Sequence, residues 1–401
     1  MSNFKIGIPF ILLITFSFVL FVGGTIPYFI FYIFLMTITI PFLHSLITLR
    51  KLNGTVNIPQ GSLYTGEKID IDYEVNNATS FTIPYLQIQS DISKQLSGVD
   101  SPNVILSLGK KESFTRRETV ILKRRGYYEI GDIEIKISDV FGLYSFKKKL
   151  SSSISLLVYP EAIKLSTFKV VASQQLGDLS VHDLAFQDKS RVASLRDYIE
   201  GDSVKLIHWK QSSKRENPIV KEFENRGDIN TLIFIDNESK HFKSDINRRM
   251  EDKVADAALS IINYCLNQNI QVNLKVQNNL SITEIQGQQS SDMKPFLETL
   301  ACFKGNGAIS FTALLMSRIE SIKKSSTVII ITSNLDKEMG AHGIHLKMKN
   351  MNPLFISVTD RVNKNGTLDL EVEKRMREEG ITVYALDCDT SIKEALEGRH
   401  E

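Results

Sequence analysis

Two long apolar runs near the start of the chain place the strongest constraint on its fold. The first extends from Ile6 to Val22, Gly23 and Gly24 interrupt it, and the second extends from Ile26 to Leu49. About 20 apolar residues cross a bilayer as a helix, so each run is long enough for one span. The connector between the runs is only a few residues long. The sequence therefore predicts a transmembrane helical hairpin over residues 1–52.

The basic residues around these runs predict the orientation. Lys5 precedes the first run, and Arg50 and Lys51 follow the second. Positive residues favour the cytoplasmic side, so we expect a multi-pass protein of the cell membrane with the bulk of the chain in the cytoplasm. A cleaved signal peptide followed by a single span is the alternative, and it leaves the bulk of the chain on the same side.

Length, charge and cysteine content limit the rest of the chain. The 401 residues suffice for two or three domains. The formal net charge is only +2, which argues against a nucleic-acid partner. Cys265, Cys302 and Cys388 are odd in number and form no C-x-x-C pair. This pattern argues against a disulfide framework and favours a reducing compartment.

A period-two pattern dominates the segment 53–160. Apolar and polar residues alternate from Ile69 to Val75 and again from Ile133 to Ile137. Short strands with Gly and Asn between them, and no convincing helix, predict a β-sandwich of immunoglobulin-like size. We also expect Phe141 and Leu143 to be anchored in its core.

The remaining chain is predicted to hold a connector, residues 161–191, and an α/β domain, residues 192–401. Continuous apolar strands separated by helical patterns favour a parallel, doubly wound sheet. The predicted strands are Asn230–Asp236, Ile270–Val276, Ser326–Asn334, Asn352–Asp360 and Ile381–Asp387.

Acidic residues lie at the carboxyl ends of three predicted strands: Asp236, Asp360 and Asp387. Ligands of such sheets bind at these ends. However, no G-x-G-x-x-G follows the first strand, and the chain has no Walker A sequence. The sequence therefore lacks a phosphate cradle for a nucleotide.

The densest run of unusual residues is LRDYIEGDSVKLIHWKQSSKR, which begins at Leu195. Gly201 and Asp202 predict a turn and an N-cap, followed by a short helix over Ser203–Ser212. On that helix His208, Ser212 and Arg215 share a polar face. Asp202 and His208 are six residues apart and do not share a face, which makes a catalytic His–Asp pair geometrically poor.

Three interpretations of this run stay open: a structural brace, a docking surface for a protein and a catalytic site. In the brace, Trp209 covers the core and the charged residues form hydrogen-bonded pairs. As a docking surface, the run offers Trp and Arg, which dominate binding hot spots. The paired charged residues are Arg196, Asp197, Asp202, Lys210 and Glu222.

The same run, extended to Glu224, closely resembles the signature of domain-of-unknown-function family 58, a bacterial and archaeal group. RRGYYEIGDIEIKISDVFGLYSF and VYP upstream also resemble that family. The matching signature positions are Arg196, Asp197, Tyr198, Gly201, Asp202, Ile207, Trp209, Lys210, Ser212, Arg215, Lys221 and Glu222-Phe223-Glu224.

The resemblance implies a C-terminal domain similar to a von Willebrand factor A domain. It also implies an association with MoxR-type AAA+ ATPases and transglutaminase-like membrane proteins. The role that follows is a membrane-anchored, non-catalytic cytoplasmic adaptor or scaffold of such an ATPase, in a chaperone-like or envelope-related process.

Von Willebrand factor A domains often bind a divalent metal through D-x-S-x-S. Here Asp236 matches, but Glu238 and Lys240 replace the two serines. A fixed positive charge beside the site opposes a cation, so Mg²⁺ is disfavoured and we expect no cofactor. Thr332, Ser333 and Asp360 could still supply oxygens. In the simplest alternative, Asp236 caps the next turn.

Two rival functions belong to other classes. One is a metal-dependent ligand-binding module, which Lys240 disfavours. The other is a hydrolase at the cytoplasmic face, with His208 and either Asp202 or Asp236 in its site. The sequence contains no G-x-S-x-G and no H-E-x-x-H. We therefore do not expect an enzyme.

Overall fold

The computed structural model divides into two compact units, Met1–Pro160 and Glu161–Glu401. Each unit is described by itself. The structure describes residues 7–59, 61–168, 187–199, 207–213, 218–225, 230–278, 281–320, 322 and 326–398.

The first unit begins with two apolar helices, α1 (Gly7–Val22) and α2 (Thr25–Lys51). Among the described residues, α2 is the one helix long and apolar enough to cross a membrane. The apolar part of α1, Phe10–Val22, is shorter. An N-terminal apolar helix suited to a bilayer is therefore confirmed.

Two sheets follow and share one hydrophobic core. Strands β1, β3 and β6 form an antiparallel sheet of three. The second sheet has the order β2-β8-β7-β4-β5 and is antiparallel except for the pair β2–β8. Its inward residues alternate with outward ones, as the period-two pattern predicted. The strands are β1 (Leu52–Asn57), β2 (Leu63–Tyr64), β3 (Lys68–Asn77), β4 (Ile83–Ser90), β5 (Val104–Leu108), β6 (Ser113–Ile121), β7 (Gly126–Ser138) and β8 (Ser145–Tyr159).

Two local expectations for this unit are wrong. A short helix, α3 (Ile92–Ser97), interrupts the strands where no helix was predicted. Its single turn and a half is too short to leave a helical period in the sequence. Phe141 is not anchored in the core but is 61% exposed, because the tight turn between β7 and β8 directs it outward.

The second unit is built on a six-stranded sheet with the order β13-β12-β11-β14-β16-β18. All neighbouring strands in the order β12-β11-β14-β16-β18 are parallel, as predicted. The edge strand β13 pairs antiparallel with β12, so the expectation of a purely parallel sheet is wrong at this edge. The strands are β11 (Asn230–Ile235), β12 (Gln271–Asn278), β13 (Ser281–Gly287), β14 (Thr327–Thr332), β16 (Asn352–Thr359) and β18 (Thr382–Asp387).

Helices cover both faces of this sheet and create two cores. Ile233 and Ile235 of β11 belong to one core, whereas Leu232 and Phe234 belong to the other. This alternation explains why the strand is continuously apolar from Leu232 to Ile235. The helices of this unit are α4 (Trp209–Ser212), α5 (Ser239–Phe242), α6 (Arg249–Asn267), α7 (Met293–Ala301), α8 (Phe311–Ile319), α9 (Lys337–Met348), α10 (Leu370–Glu378) and α11 (Ile392–Glu397).

Two small sheets complete the described part of the second unit. Strands β9 (Gln187–Asp197) and β10 (Ile219–Asn225) form an antiparallel pair. Residues 187–191, which were assigned to the connector, lie in β9. Strands β15 (Asn334–Leu335) and β17 (Thr367–Leu368) form a short parallel pair.

Candidate functional site

The order of the sheet points to one position for a site. The chain passes from β11 to β12 on one side and later returns to β14 on the other side of β11. The carboxyl ends of β11 and β14 therefore flank the point where the chain direction across the sheet reverses. In open α/β sheets, ligands bind in the crevice at such a point.

Asp236 lies at this point and is completely buried. One of its carboxylate oxygens accepts a hydrogen bond from the Thr332 hydroxyl (2.7 Å), and the other accepts one from the Glu238 N–H (3.0 Å). Burial raises the pKa of the Asp236 carboxyl, and these two hydrogen bonds oppose the rise only in part. The predicted oxygen of Thr332 is thus beside Asp236, and Asp236 also stabilises the following turn.

Glu238 and His241 complete a cluster with Asp236. The His241 Nε2 atom lies 3.7 Å from Glu238 Oε2 and 4.0 Å from Asp236 Oδ2. Both distances exceed a hydrogen bond. Glu238 Oε2 is held by the backbone N–H of Phe311 at the start of α8 (3.1 Å). We call these three residues the switch-point cluster.

The switch-point cluster has the composition and spacing of a metal site. One ligand atom from each residue lies within 4.8 Å of the others. Two ligands bound tetrahedrally at about 2.1 Å are about 3.4 Å apart, so a small contraction would suffice. Lys240 opposes this use, because its ammonium lies 2.8 Å from Glu238 Oε1. That hydrogen bond also raises the pKa of Lys240 and keeps it cationic.

His241 was missed by the sequence reasoning. The signal available was its position five residues after Asp236, in the turn that follows the strand. A search limited to D-x-S-x-S does not include that position. Asp360 was proposed as another oxygen donor, but it binds elsewhere. Its carboxylate accepts hydrogen bonds from the Asn363 side chain (2.7 Å) and backbone (3.2 Å), and Arg249 Nε lies 3.7 Å away.

The signature run differs from its predicted helix. Ile207 forms an isolated β-bridge with Val220, and the His208 N–H donates to the Ile219 carbonyl (2.8 Å). The helix therefore does not run unbroken from Ser203 to Ser212, because Ile207 pairs as a strand residue. Of the described residues in that range, Trp209–Ser212 are helical, and residues 203–206 lie outside the described part of the chain. The His208 carbonyl, just before this helix, accepts a hydrogen bond from the Ser212 N–H (3.0 Å), and Arg215 lies outside the described residues, so the polar face of His208, Ser212 and Arg215 stays a prediction.

The Ser212 hydroxyl has a structural role. It donates to the His208 carbonyl (3.1 Å) and accepts from the Ile219 N–H (2.8 Å). These hydrogen bonds connect the end of α4 to the start of β10. Ser212 is therefore engaged within the unit.

Trp209 does not cover the core. Its side chain is 66% exposed, and Lys210 beside it is exposed too. The expectation of a bracing tryptophan is wrong, because a helix of one turn cannot carry the apolar stripe that buries such a residue. Leu195 and Ile199 at the end of β9 are also 43% and 63% exposed.

The other predicted signature residues are placed as follows. Asp197 is exposed and Tyr198 is half-buried at the end of β9. The backbones of Arg196, Lys221 and Glu222 lie in the β9–β10 pair. Gly201, Asp202 and Arg215 lie outside the described residues.

Comparison with known proteins identifies the family of this region. Residues 194–374 match the model of the family described as Protein of unknown function DUF58. The resemblance inferred from the signature is therefore confirmed. The Uncharacterized protein YeaD of Bacillus subtilis (strain 168) is 26% identical over 229 residues. The alignment covers 55% of this chain and 56% of YeaD, a little over half of that protein's length.

Solved structures resemble the chain only weakly. Proximal thread matrix protein 1 from the mussel byssus has a TM-score of 0.30 at 14% identity, over 42% of this chain and 45% of its own. The CARDB domain of the PF1109 protein from Pyrococcus furiosus has a TM-score of 0.19 at 15% identity, over 27% and 91%. Scores of this size support no fold assignment.

Proposed function

With the DUF58 match of residues 194–374 as premise, we propose that the protein is a membrane-anchored, non-catalytic adaptor that docks a cytoplasmic partner. The observation that carries this proposal is the exposure of Trp209 within the family signature. A large aromatic side chain left in water is the residue type most enriched at binding hot spots. Leu195 in β9 and Ile199, two residues after its end, are further exposed apolar side chains of the signature run.

The partner we propose is a MoxR-type AAA+ ATPase, with a transglutaminase-like membrane protein as a further component. This choice rests on the family resemblance, which also suggests a chaperone-like or envelope-related process. The two units would then be an immunoglobulin-like sandwich and a von Willebrand factor A-like domain. Two sheets around one core support the first assignment, and a largely parallel sheet between two helical layers supports the second.

For the anchor, we propose a hairpin of α1 and α2 with both ends in the cytoplasm. The rings of Phe16 and Phe31 lie 5.7 Å apart, which supports packing of the two helices. Arg50 and Lys51 at the end of α2 favour the cytoplasmic side. A reporter fused after Glu401 should be active only as a cytoplasmic reporter. Activity of an exterior reporter would contradict both the orientation and the ATPase partner.

A metal-dependent ligand-binding module is the second candidate. The switch-point cluster of Asp236, Glu238 and His241 favours it, and the Lys240 ammonium on Glu238 opposes it. We rank it below the adaptor, because binding a cation there must displace an existing ion pair.

Capture of partners from solubilised native membranes tests the adaptor. The full chain should recover an AAA+ ATPase, identified by mass spectrometry. Trp209→Ala should weaken that recovery at least about tenfold, the effect of about 1.4 kcal/mol of lost binding. Because Trp209 is mostly exposed, its loss should change the free energy of unfolding by less than about 1 kcal/mol.

Leu370→Ala is the matched control, since Leu370 is 70% exposed but lies in α10, outside the signature run. It should leave recovery of the ATPase unchanged. Equal recovery by the wild type and Trp209→Ala would place the contact elsewhere. Absence of any AAA+ ATPase from the wild-type capture would refute the proposed partner.

A further inference from the structure

The apolar helix α2 is joined to the sheets of the first unit without a linker. Strand β1 begins with Leu52, the residue that directly follows the helix. Ser45 and Thr48 in the last turns of α2 are buried, and Leu49 packs against the core of the sheets. The Lys148 ammonium donates hydrogen bonds to the carbonyls of Leu49 (3.0 Å) and Leu52 (2.9 Å), which supplies partners at the helix end. Helix and sheets therefore move together.

The length of α2 fixes where it leaves a bilayer. Its 27 residues extend about 40 Å at about 1.5 Å per residue. A hydrocarbon layer of about 30 Å takes up about 20 of them. Counted from Thr25, the helix leaves that layer near His44, where its buried turns begin. A bilayer crossed by α2 thus lies directly against the sheets.

Three ring contacts identify which part of the sheets lies at that depth. The Phe42 ring is 5.3 Å from the Tyr144 ring and 5.9 Å from the Phe146 ring. The His44 ring is 5.5 Å from the Phe81 ring. Because Tyr144 and Phe146 lie where β8 begins, the turn between β7 and β8 is beside the point where α2 emerges.

This turn holds apolar side chains outward. The Asp139 carboxylate accepts hydrogen bonds from the backbone N–H groups of Phe141 (2.9 Å) and Tyr144 (2.7 Å). Gly142 adopts a φ of 62°, a conformation that favours glycine. As a result Val140 is 77% exposed and Phe141 is 61% exposed. Side chains of this kind are unfavourable in water and favourable in the interfacial layer of a membrane.

The direction of strands β7 and β8 shows which of their ends lies near the bilayer and which lies far from it. Phe146 contacts Phe42, and two residues later Lys148 binds the carbonyl of Leu49. Strand β8 therefore leads away from the bilayer alongside α2. Strand β7 runs antiparallel to β8, so its last residue, Ser138, lies at the end of the strand nearest the bilayer. Tyr127 lies at the opposite end of β7, about 36 Å from Ser138 at about 3.3 Å per residue.

We propose that Val140, Phe141 and Phe81 form a rim that inserts into the interfacial layer of the bilayer that α2 crosses. The occupant of this rim is lipid, namely the headgroup and upper acyl-chain region of the same membrane. Phe81, next to His44, is 49% exposed and extends the rim on the other side of the helix. The rim sets the tilt of the sheets against the membrane. This inference rests on the membrane anchor of the proposed function, but not on its partner.

Fluorescence quenching by brominated lipids tests the rim in the full chain. Trp209 is the only tryptophan, so Trp209→Phe provides a silent background. Single tryptophans are then introduced as Phe141→Trp, as Val140→Trp and, for the far end of β7, as Tyr127→Trp, where Tyr127 is 56% exposed. Tyr32→Trp lies eight residues into α2, within the part of the helix assigned to the hydrocarbon layer, and reports on the anchor itself. The probe is a phosphatidylcholine–phosphatidylglycerol vesicle with acyl chains brominated near the headgroup or near the bilayer centre.

We expect Phe141→Trp and Val140→Trp to be quenched by the shallow bromines, with emission shifted to the blue. Tyr32→Trp should be quenched by the deep bromines, and Tyr127→Trp by neither. Quenching of Tyr32→Trp without quenching of either rim tryptophan would overturn the rim and leave the anchor intact. An unquenched Tyr32→Trp would overturn the anchor and the rim together. Equal quenching of Tyr127→Trp and Phe141→Trp would also overturn the rim, because the two ends of β7 would then lie at one depth.

Discussion

Asp236 and Asp360 occupy matching positions in the second unit, yet their surroundings are opposite. Each follows a parallel strand, β11 or β16, with only β14 between them, and each side chain is completely buried. Asp236 lies beside a second carboxylate and an imidazole, whereas Asp360 lies beside the Arg249 guanidinium and the Asn363 amide. A strand end thus fixes where an acid lies, and the residues packed around it, from the next loop or from another helix, fix its electrostatics.

The consequence for pKa differs between the two acids. Burial raises the pKa of Asp236, and its hydrogen bonds do not offset this. Burial also acts to raise the pKa of Asp360, but the hydrogen bonds from Asn363 and the charge of Arg249 outweigh it and lower the pKa. Asp360 is therefore a stabilising anion of the fold, whereas Asp236 is an acid held in a place that disfavours its charge.

Replacing each acid by asparagine should give the largest difference in stability between the two sites. Asp360→Asn puts an amide donor opposite the donors of Asn363 and Arg249, so we expect a loss of about 1.5–3 kcal/mol in the free energy of unfolding. Asp236→Asn keeps an acceptor for the Glu238 N–H, and its amide can donate to the Thr332 oxygen, since the Thr332 hydroxyl has the Asn334 carbonyl as another acceptor (3.2 Å). The replacement also removes a buried charge. Its effect should be about 1 kcal/mol or less. Urea unfolding of residues 161–401 measures both. A larger loss for Asp236→Asn than for Asp360→Asn would contradict the contrast.

The pH dependence of the same two variants should have opposite signs. A raised pKa means that the folded state holds the Asp236 proton more tightly than the unfolded state. That contribution to stability is present below the ordinary pKa of aspartate and is lost as the pH rises through the folded-state value. The stability of Asp236→Asn relative to the wild type should therefore increase as the pH rises. The test is urea unfolding of both proteins between about pH 3 and 8.

For Asp360 the lowered pKa reverses the argument. Its contribution is present above the ordinary pKa of aspartate and is lost as the pH falls through the folded-state value. Asp360→Asn should therefore lose stability relative to the wild type as the pH rises over the same range. Parallel curves for the two asparagine variants would show that the two sites do not differ in electrostatics.

The strands of the sheet that carries Asp236 and Asp360 could be predicted from the sequence far better than the residues that surround these two acids. Strands such as β11 contain continuous apolar runs, here Leu232–Ile235, because both faces are buried, and that pattern can be recognised in the sequence. Helix α9 leaves only a weak helical pattern in the sequence, because Gly340 and Gly343 have low helix propensity. Both glycines allow close packing, since a Cβ at Gly343 would lie 2.9 Å from Phe355 and one at Gly340 2.5 Å from Val372.

Exposure and pairing were harder to predict than secondary structure. Trp209 and Phe141 were expected in the core because both are large and apolar, but each lies in a short turn that cannot direct it inward. His241 in the one-turn helix α5 and Arg249 at the start of α6 reach the two acids through helix positions that depend on tertiary contacts. No local spacing in the sequence encodes those contacts.

The smallest expected effect is the response to Mg²⁺, and it bears on Asp236 alone. Lys240 is held on Glu238, so the fragment of residues 161–401 should show no Mg²⁺-dependent rise in melting temperature. A cation bound only to the folded state would stabilise it by about 2.7 kcal/mol at a hundredfold excess over the dissociation constant. A millimolar Mg²⁺ shift that Asp236→Ala abolishes would refute this expectation and favour the metal-dependent module.

A gain-of-function variant tests whether the side chains of Glu238 and Lys240 or the backbone at the end of β11 oppose Mg²⁺ binding. Combining Glu238→Ser with Lys240→Ser removes the ion pair and creates the D-x-S-x-S spacing beside Thr332. If the two replaced side chains are what opposes Mg²⁺, this double variant should acquire the rise in melting temperature that the wild type lacks. The same double variant carrying Asp236→Ala should lose it again. A double variant that stays indifferent to Mg²⁺ would mean that the backbone at the end of β11, rather than Lys240, keeps the cation out.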